Sequence, residues 1–189
     1  MKIGLVSAIL EDYDFKKMID TVSEIGYECV EVACWPKAKA ERRYAGVSHI
    51  DVANLGDKEA EEILSYCKEK NVEISSLAFY PNTMDGNPEK RAANIEHLYK
   101  VIDASKKLGI NLVTTFIGRD QTKTVEENLE LVKKILDSDR ALRRGKESSY
   151  CNTKLARCSL YGDQWPGGQN LMTTPVIWRK VFDILDSDY

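Results

Sequence analysis

Apolar positions along this chain fall into two alternating textures. Short runs at Lys2 to Ser7, Glu28 to Ala33, Val72 to Tyr80 and Ile110 to Ile117 are rich in aliphatic residues and stop at polar or glycine positions, as buried strands do. Between them lie longer segments whose apolar residues return every three or four positions, the helical period. The first predicts a helix with Phe15, Met18, Ile19, Val22 and Ile25 on one face, Asp12 or Asp14 as N-cap and Gly26 just past its end. The second starts at Asp57, read as an N-cap, and turns Ala60, Ile63, Leu64 and Cys67 inward. The third opens on Asn87-Pro88, a cap followed by a residue whose missing N–H costs nothing at that position. Its inward stripe is Ala92, Ile95, Leu98, Ile102 and Ser105, and Gly109 closes it. The fourth helix spans Val125 to Leu136.

Strict strand–helix alternation, with helices long enough to cross over, predicts a parallel α/β architecture. No GxGxxG or P-loop pattern follows any strand, which removes the commonest nucleotide sites of open sheets and favours a barrel. Long insertions after strands, such as the loop from Cys34 to Gly56, belong on the functional face of such a barrel. Ligands of parallel α/β proteins collect at the carboxyl ends of the strands. Glu31, read as ending strand two, is either a polar substrate contact or a buried, paired carboxylate. Trp35 is a candidate pocket wall or plain packing. Tyr80 and Asn82 follow strand three and are candidate substrate contacts. Arg119, after Gly118, either holds a phosphate or carboxylate or makes a salt bridge to Asp120 or a neighbouring helix. His49 reads as a solvated loop histidine, His97 as structural within its helix, and Lys37 to Arg43 as a solvated basic face.

After Leu136 the pattern breaks. Asp137 to Lys146 is dense in charge, and Tyr150 to Arg157 makes a poor fifth strand. Regular texture resumes at Tyr161, and Thr173 or Thr174 caps a last helix burying Val176, Ile177, Val181, Phe182 and Leu185. One partial domain over residues 1–189, irregular at 137–160, is the expected organisation. A net charge of -3 and a pI near 5.6 give no footprint for nucleic acid. Five cysteines without a CxxC pattern or signal peptide read as reduced thiols in the cytoplasm, and no apolar run is long enough to span a membrane.

The segments Gly26 to Val32, Leu77 to Asn82, Leu108 to Arg119 and Asp163 to Leu171 together resemble the sugar phosphate isomerase/epimerase family. These are xylose-isomerase-like TIM barrels that also include AP endonuclease family 2. The resemblance implies a (β/α)8 barrel, present here as about four to five β/α units, acting on a sugar or polyol. It implies a divalent metal (Mn, Mg, Co or Zn) held by a Glu on strand five, an Asp on strand six, a His on strand seven and a Glu on strand eight. The two Glu residues would shuttle a proton next to a carbonyl. It also implies that Gln164, Trp165 and Gln169 belong to a loop covering the site. Strands six to eight are expected to be absent, since such a barrel needs roughly 250 residues. Strand five is not legible, so the chain alone is expected to gather no metal set and to be inactive or nearly so. The abasic-site endonuclease branch is disfavoured by the acidic balance and by having only two histidines where a multi-zinc site uses several. A second expectation is a non-catalytic half-barrel that binds a partner or forms homo-oligomers through open sheet edges.

Strand five has a possible origin for its illegibility. Tyr150 to Lys154 can be encoded TAT-TGC-AAT-ACA-AAA, which one base later reads Ile-Ala-Ile-Gln, close to the Ile-Ala-Ile-Glu-Asn-x-Pro that the resemblance implies for strand five. An out-of-frame segment from about Asp137 to Leu160 follows as a hypothesis; an intact reading frame with no compensating indels would remove it.

Overall fold

The computed structural model describes residues 2–37, 46–116, 118–144 and 154–155, with side chains as far as residue 135. Gln164, Trp165, Gln169, the terminal helix and residues 38–43 of the basic cluster lie outside the described residues. Five strands form one parallel sheet in sequential order: β1 (Gly4–Val6), β2 (Cys29–Ala33), β3 (Glu73–Phe79), β4 (Leu112–Thr115) and β5 (Lys154–Leu155). Helices α1 (Phe15–Ile25), α2 (Asp57–Glu69), α3 (Pro88–Lys107) and α4 (Val125–Arg144) follow β1 to β4 in turn. The predicted alternation is therefore present, and β5 pairs with β4 inside the stretch read as a poor fifth strand.

Contacts group the chain into two compact units. One comprises Met1–Tyr80, Glu96–Thr115 and Asn152–Ala156, and holds the whole sheet. The other comprises Pro81–Ile95, Phe116–Cys151 and Arg157–Tyr189.

Sheet register decides which side chains meet. Val6 pairs with Glu31 and Glu31 with Ser76, while Ala33 pairs with Ala78 and Ala78 with Thr114. Side chains alternate between faces along a strand, so Glu31, Ser76, Tyr80 and Thr114 share one face. Val30, Val32, Leu77, Phe79 and Val113 lie on the other, none more than 1% exposed. The phase between β2 and β3 depends on a bulge, since Val30 opposes Ile74 but Glu31 opposes Ser76. Ser75 is the extra residue, and its hydroxyl donates back to the Val30 carbonyl at 3.1 Å.

Helix ends follow the local chemistry, with some corrections. Asp14 is the N-cap of α1, its carboxylate accepting the Lys17 N–H at 2.8 Å. Gly26 closes that helix at φ 90°, a conformation that costs glycine little. Asn87 caps α3 by accepting from the N–H groups of Glu89 and Lys90. For α2 the N-cap is Gly56, and Asp57 is the first helical residue; a carboxylate in the first turn still favours the helix dipole. Ile25 and Leu64 are 60% and 40% exposed, because each lies at the margin of its helix's apolar stripe. Ala92 is exposed as well, and the buried face of α3 is His97, Val101, Ile102, Ala104 and Ser105. Helix α4 runs on to Arg144: charged residues of good helix propensity extend it where no apolar stripe is left to read. Among the described residues no helix is long and apolar enough to cross a membrane.

Asp14→Ala is expected to lower the unfolding free energy by about 1 kcal/mol, the usual value of an N-cap. Urea denaturation followed by circular dichroism measures it, and Asp14→Asn should recover most of the loss.

Candidate functional site

Glu31 lies two residues before the end of β2 rather than at its end, since the strand continues through Val32 and Ala33. That position sets it among hydroxyls. Ser76 and Thr114 each donate to its Oε2 at 2.9 Å, and the Tyr80 hydroxyl donates to Oε1. Tyr80 Oη is also 3.0 Å from Thr114 Oγ1. An ionised carboxylate can only accept hydrogen bonds, and here three donors come from strands β3 and β4 and the residue just after β3. Trp35 stands beside this group. Its ring meets Tyr80 edge-on at 5.6 Å between centroids and Phe79 at 5.8 Å, a favoured aromatic geometry.

The backbone bearing Trp35 is fastened from several sides. Trp35 N–H donates to the Val47 carbonyl and Cys34 N–H to the Ala78 carbonyl. His97 Nε2 donates to the Cys34 carbonyl at 2.8 Å while its ring packs on Phe79 at 4.6 Å. His49 is 8% exposed, not solvated as expected. Its Nε2 donates to the Leu10 carbonyl at 3.2 Å, which leaves Nδ1 to accept the Ser7 hydroxyl at 3.0 Å. Ser7 Oγ in turn accepts the Ala33 N–H at 2.8 Å. Such a Ser–His pair suggests a nucleophile and its base, yet Ser7 is fully buried and both partners are engaged in holding backbone. Burial pushes the Cys34 thiol far above its ordinary range, and that of Cys67 up to about 11.

Asn82 and Arg119 meet in the second unit. Asn82 Nδ2 donates to the Arg119 carbonyl at 2.7 Å, and Oδ1 accepts the Met84 N–H at 2.9 Å. Gly118 adopts φ 74°, and a Cβ there would overlap the Asn82 amide, so the turn requires glycine for both conformation and room. The Asp120 carboxylate accepts Lys123 Nζ at 2.6 Å and the Thr122 N–H and hydroxyl. These donors, Lys123 foremost, lower its pKa to about 2. Asn128 holds the Asp120 backbone at both N–H and carbonyl. The structure thus joins Glu31 with Tyr80 and Trp35 in one unit, and Asn82 with Arg119 in the other. Ser76 and Thr114 were missed in the sequence because a serine and a threonine inside strands carry no motif. Only the register reveals them.

The sequence profile of the xylose isomerase-like TIM barrel family matches residues 19–140, well over half of the chain. The chain belongs to that family. Among solved members of the same fold, a D-psicose 3-epimerase from Clostridium cellulolyticum H10 is 19% identical. It aligns over 75% of this chain and 49% of its own, with a TM-score of 0.50. A 3-keto-D-glucoside 4-epimerase from E. coli is 16% identical over 76% of this chain and 51% of its own, TM-score 0.51. This xylose isomerase-like chain therefore spans about half the length of either protein. A comparison with curated proteins finds no match in sequence.

A divalent ion of the kind the family resemblance implies would need several acidic or imidazole donors close together. Among the described residues no group of three or more His, Cys, Asp or Glu side chains is placed to hold one. Glu31 is surrounded by hydroxyl donors instead. The described residues do not fit the ion.

Burial lowers the pKa of both His49 and His97 below the ordinary 6.5, against the opposing pull of the carbonyls they donate to. Between those lowered values and 6.5 the unfolded chain binds more protons than the native one. Stability therefore rises with pH across that window, is complete above it, and is lost as pH falls through it. The melting temperature is expected to drop between about pH 7.5 and about pH 5, and His49→Gln should reduce the drop. Thermal melts over that range test this, since the Asp120 contribution is lost only below its ordinary 3.8.

Proposed function

We propose that this chain binds a small sugar or polyol at the carboxyl ends of its strands, in the reaction class of the isomerases and epimerases. That chemistry removes a proton from the carbon next to a carbonyl and returns it. The observation that carries the reading is the carboxylate of Glu31, dressed with hydroxyls beside the aromatic pair Trp35 and Tyr80. Polar groups that accept and donate hydrogen bonds next to an aromatic ring are what a polyhydroxylated ligand requires. Family membership supports the same reading. Asn82 and Arg119 of the second unit, and Gln164 and Trp165 from the family resemblance, are proposed as separate candidate contacts. The described cysteines Cys29, Cys34 and Cys67 are free thiols, in keeping with a cytoplasmic setting.

A divalent metal (Mn, Mg, Co or Zn) is the expected cofactor of the family, and the described residues do not gather its ligands. The chain on its own is therefore proposed to turn over little or no ketose. A second reading is self-association as a half-barrel, favoured by one observation. β1 stands at the edge of the described sheet, with Val6 exposed by 42% and Ile3 and Ile9, just outside the strand, by 58% and 54%. Parallel sheets seldom leave an edge strand so apolar and open.

Both readings meet in one experiment on the 189-residue chain. Incubated with a ketohexose and Mn²⁺ or Mg²⁺, it is expected to give no epimer above background while still showing saturable sugar binding. Measurable turnover would overturn the proposal of inactivity, and absence of any sugar binding would overturn the sugar site. Light scattering behind a sizing column reports the association state, and a clean monomer would refute self-association.

A further inference from the structure

The Glu31 cluster says more than that a sugar could rest there. A carboxylate has about four acceptor positions. Ser76 and Thr114 occupy two on Oε2, and Tyr80 takes one on Oε1. Among the described residues, one acceptor position on Oε1 is left. Glu31 is only half-buried, so its side chain is not sealed off from a ligand. The charge is not cancelled by an ion pair among the described residues, because all three bonded partners are neutral hydroxyls.

Such an arrangement sorts ligands by charge. A sugar hydroxyl carries a proton to donate to Oε1 and gains from the negative acceptor. A phosphate monoester carries close to two negative charges at neutral pH and has mostly lost its protons. Brought near Glu31, it offers repulsion where the hydroxyl offered a bond. Partial burial strengthens the effect, because like charges interact more strongly in a site of effective dielectric about 20 than in bulk water. Trp35 and Tyr80 add ring faces to the same group, surfaces suited to the C–H bonds of an uncharged sugar.

We propose that Glu31 is a specificity-determining residue that admits uncharged sugars or polyols and rejects phosphorylated ones. The inference rests on the sugar-binding reading above and adds a choice within it. Ser76, Tyr80 and Thr114 act as positioning residues, holding the carboxylate so that its remaining acceptor position faces the ligand.

The test is a binding comparison on the full chain by isothermal titration calorimetry, with D-fructose, D-fructose 1-phosphate and D-fructose 6-phosphate as probes. The free sugar is expected to bind about tenfold or more tightly than either phosphate. Glu31→Gln keeps the shape and the hydroxyl partners but removes the charge, and should shrink the ratio to about threefold or less. Should that variant fail to fold, as judged by circular dichroism, salt provides an arm that needs no mutation. Raising ionic strength to about 0.5 M screens the repulsion and should likewise narrow the ratio in the native chain. A phosphate that binds as tightly as free fructose, or a ratio that neither the variant nor salt moves, overturns the inference and leaves the sugar site standing. Failure of all three probes to bind overturns the sugar site, and this inference with it.

Discussion

One negative charge constrains more of this sheet than any other group. A carboxylate placed in the interior stretch of a strand cannot be left without donors, because burying an unpaired charge is prohibitive. Three hydroxyls satisfy Glu31, drawn from β3, from β4 and from the residue after β3. The demand fixes the relative register of three neighbouring strands. A slip of one residue between β2 and β3 would send Ser76 to the opposite face and leave the charge short of a partner. Structural register and proposed recognition are thus settled by the same bonds.

The apolar face makes the opposite demand. Val30, Val32, Leu77, Phe79 and Val113 are almost completely excluded from water, and each contributes roughly 1.5 to 3 kcal/mol by that exclusion. Phe79 also links the core to the site's aromatic wall. It packs His97 on one side and Trp35 on the other, so the placement of an aromatic wall is tied to the core of the unit.

Much of the fold was legible because helical period, strand texture and cap chemistry agree at Asp14, Gly26, Asn87 and Gly109. Legibility failed where a local rule was broken or silent. The two-residue period of β3 would place Ile74 with Ser76, but the bulge at Ser75 moves Ile74 to the phase of Val30. Glu31 could be named as a candidate, yet its partners Ser76 and Thr114 could not, since they depend on pairing across 45 and 83 residues of sequence. His49 was misjudged for the same reason: its environment is made by Ser7 and Leu10, far away in the chain. Asn82 was found by its place after a strand. Its bonds to the Arg119 carbonyl and Met84 N–H became visible only once the loops were folded.

The sulfur chemistry of the strand end has a consequence of its own. Cys34 sits between Ala33 and Trp35, immediately behind the proposed recognition face, and its thiol is wholly enclosed. Nucleophilic and oxidative reactions of cysteine run through the thiolate, a form that enclosure suppresses both here and at Cys67. Enclosure is accordingly expected to slow reaction of Cys34 with alkylating agents and peroxides while the chain stays folded. Any thiol reactivity that develops at Cys34 would therefore report that the β2 end has opened.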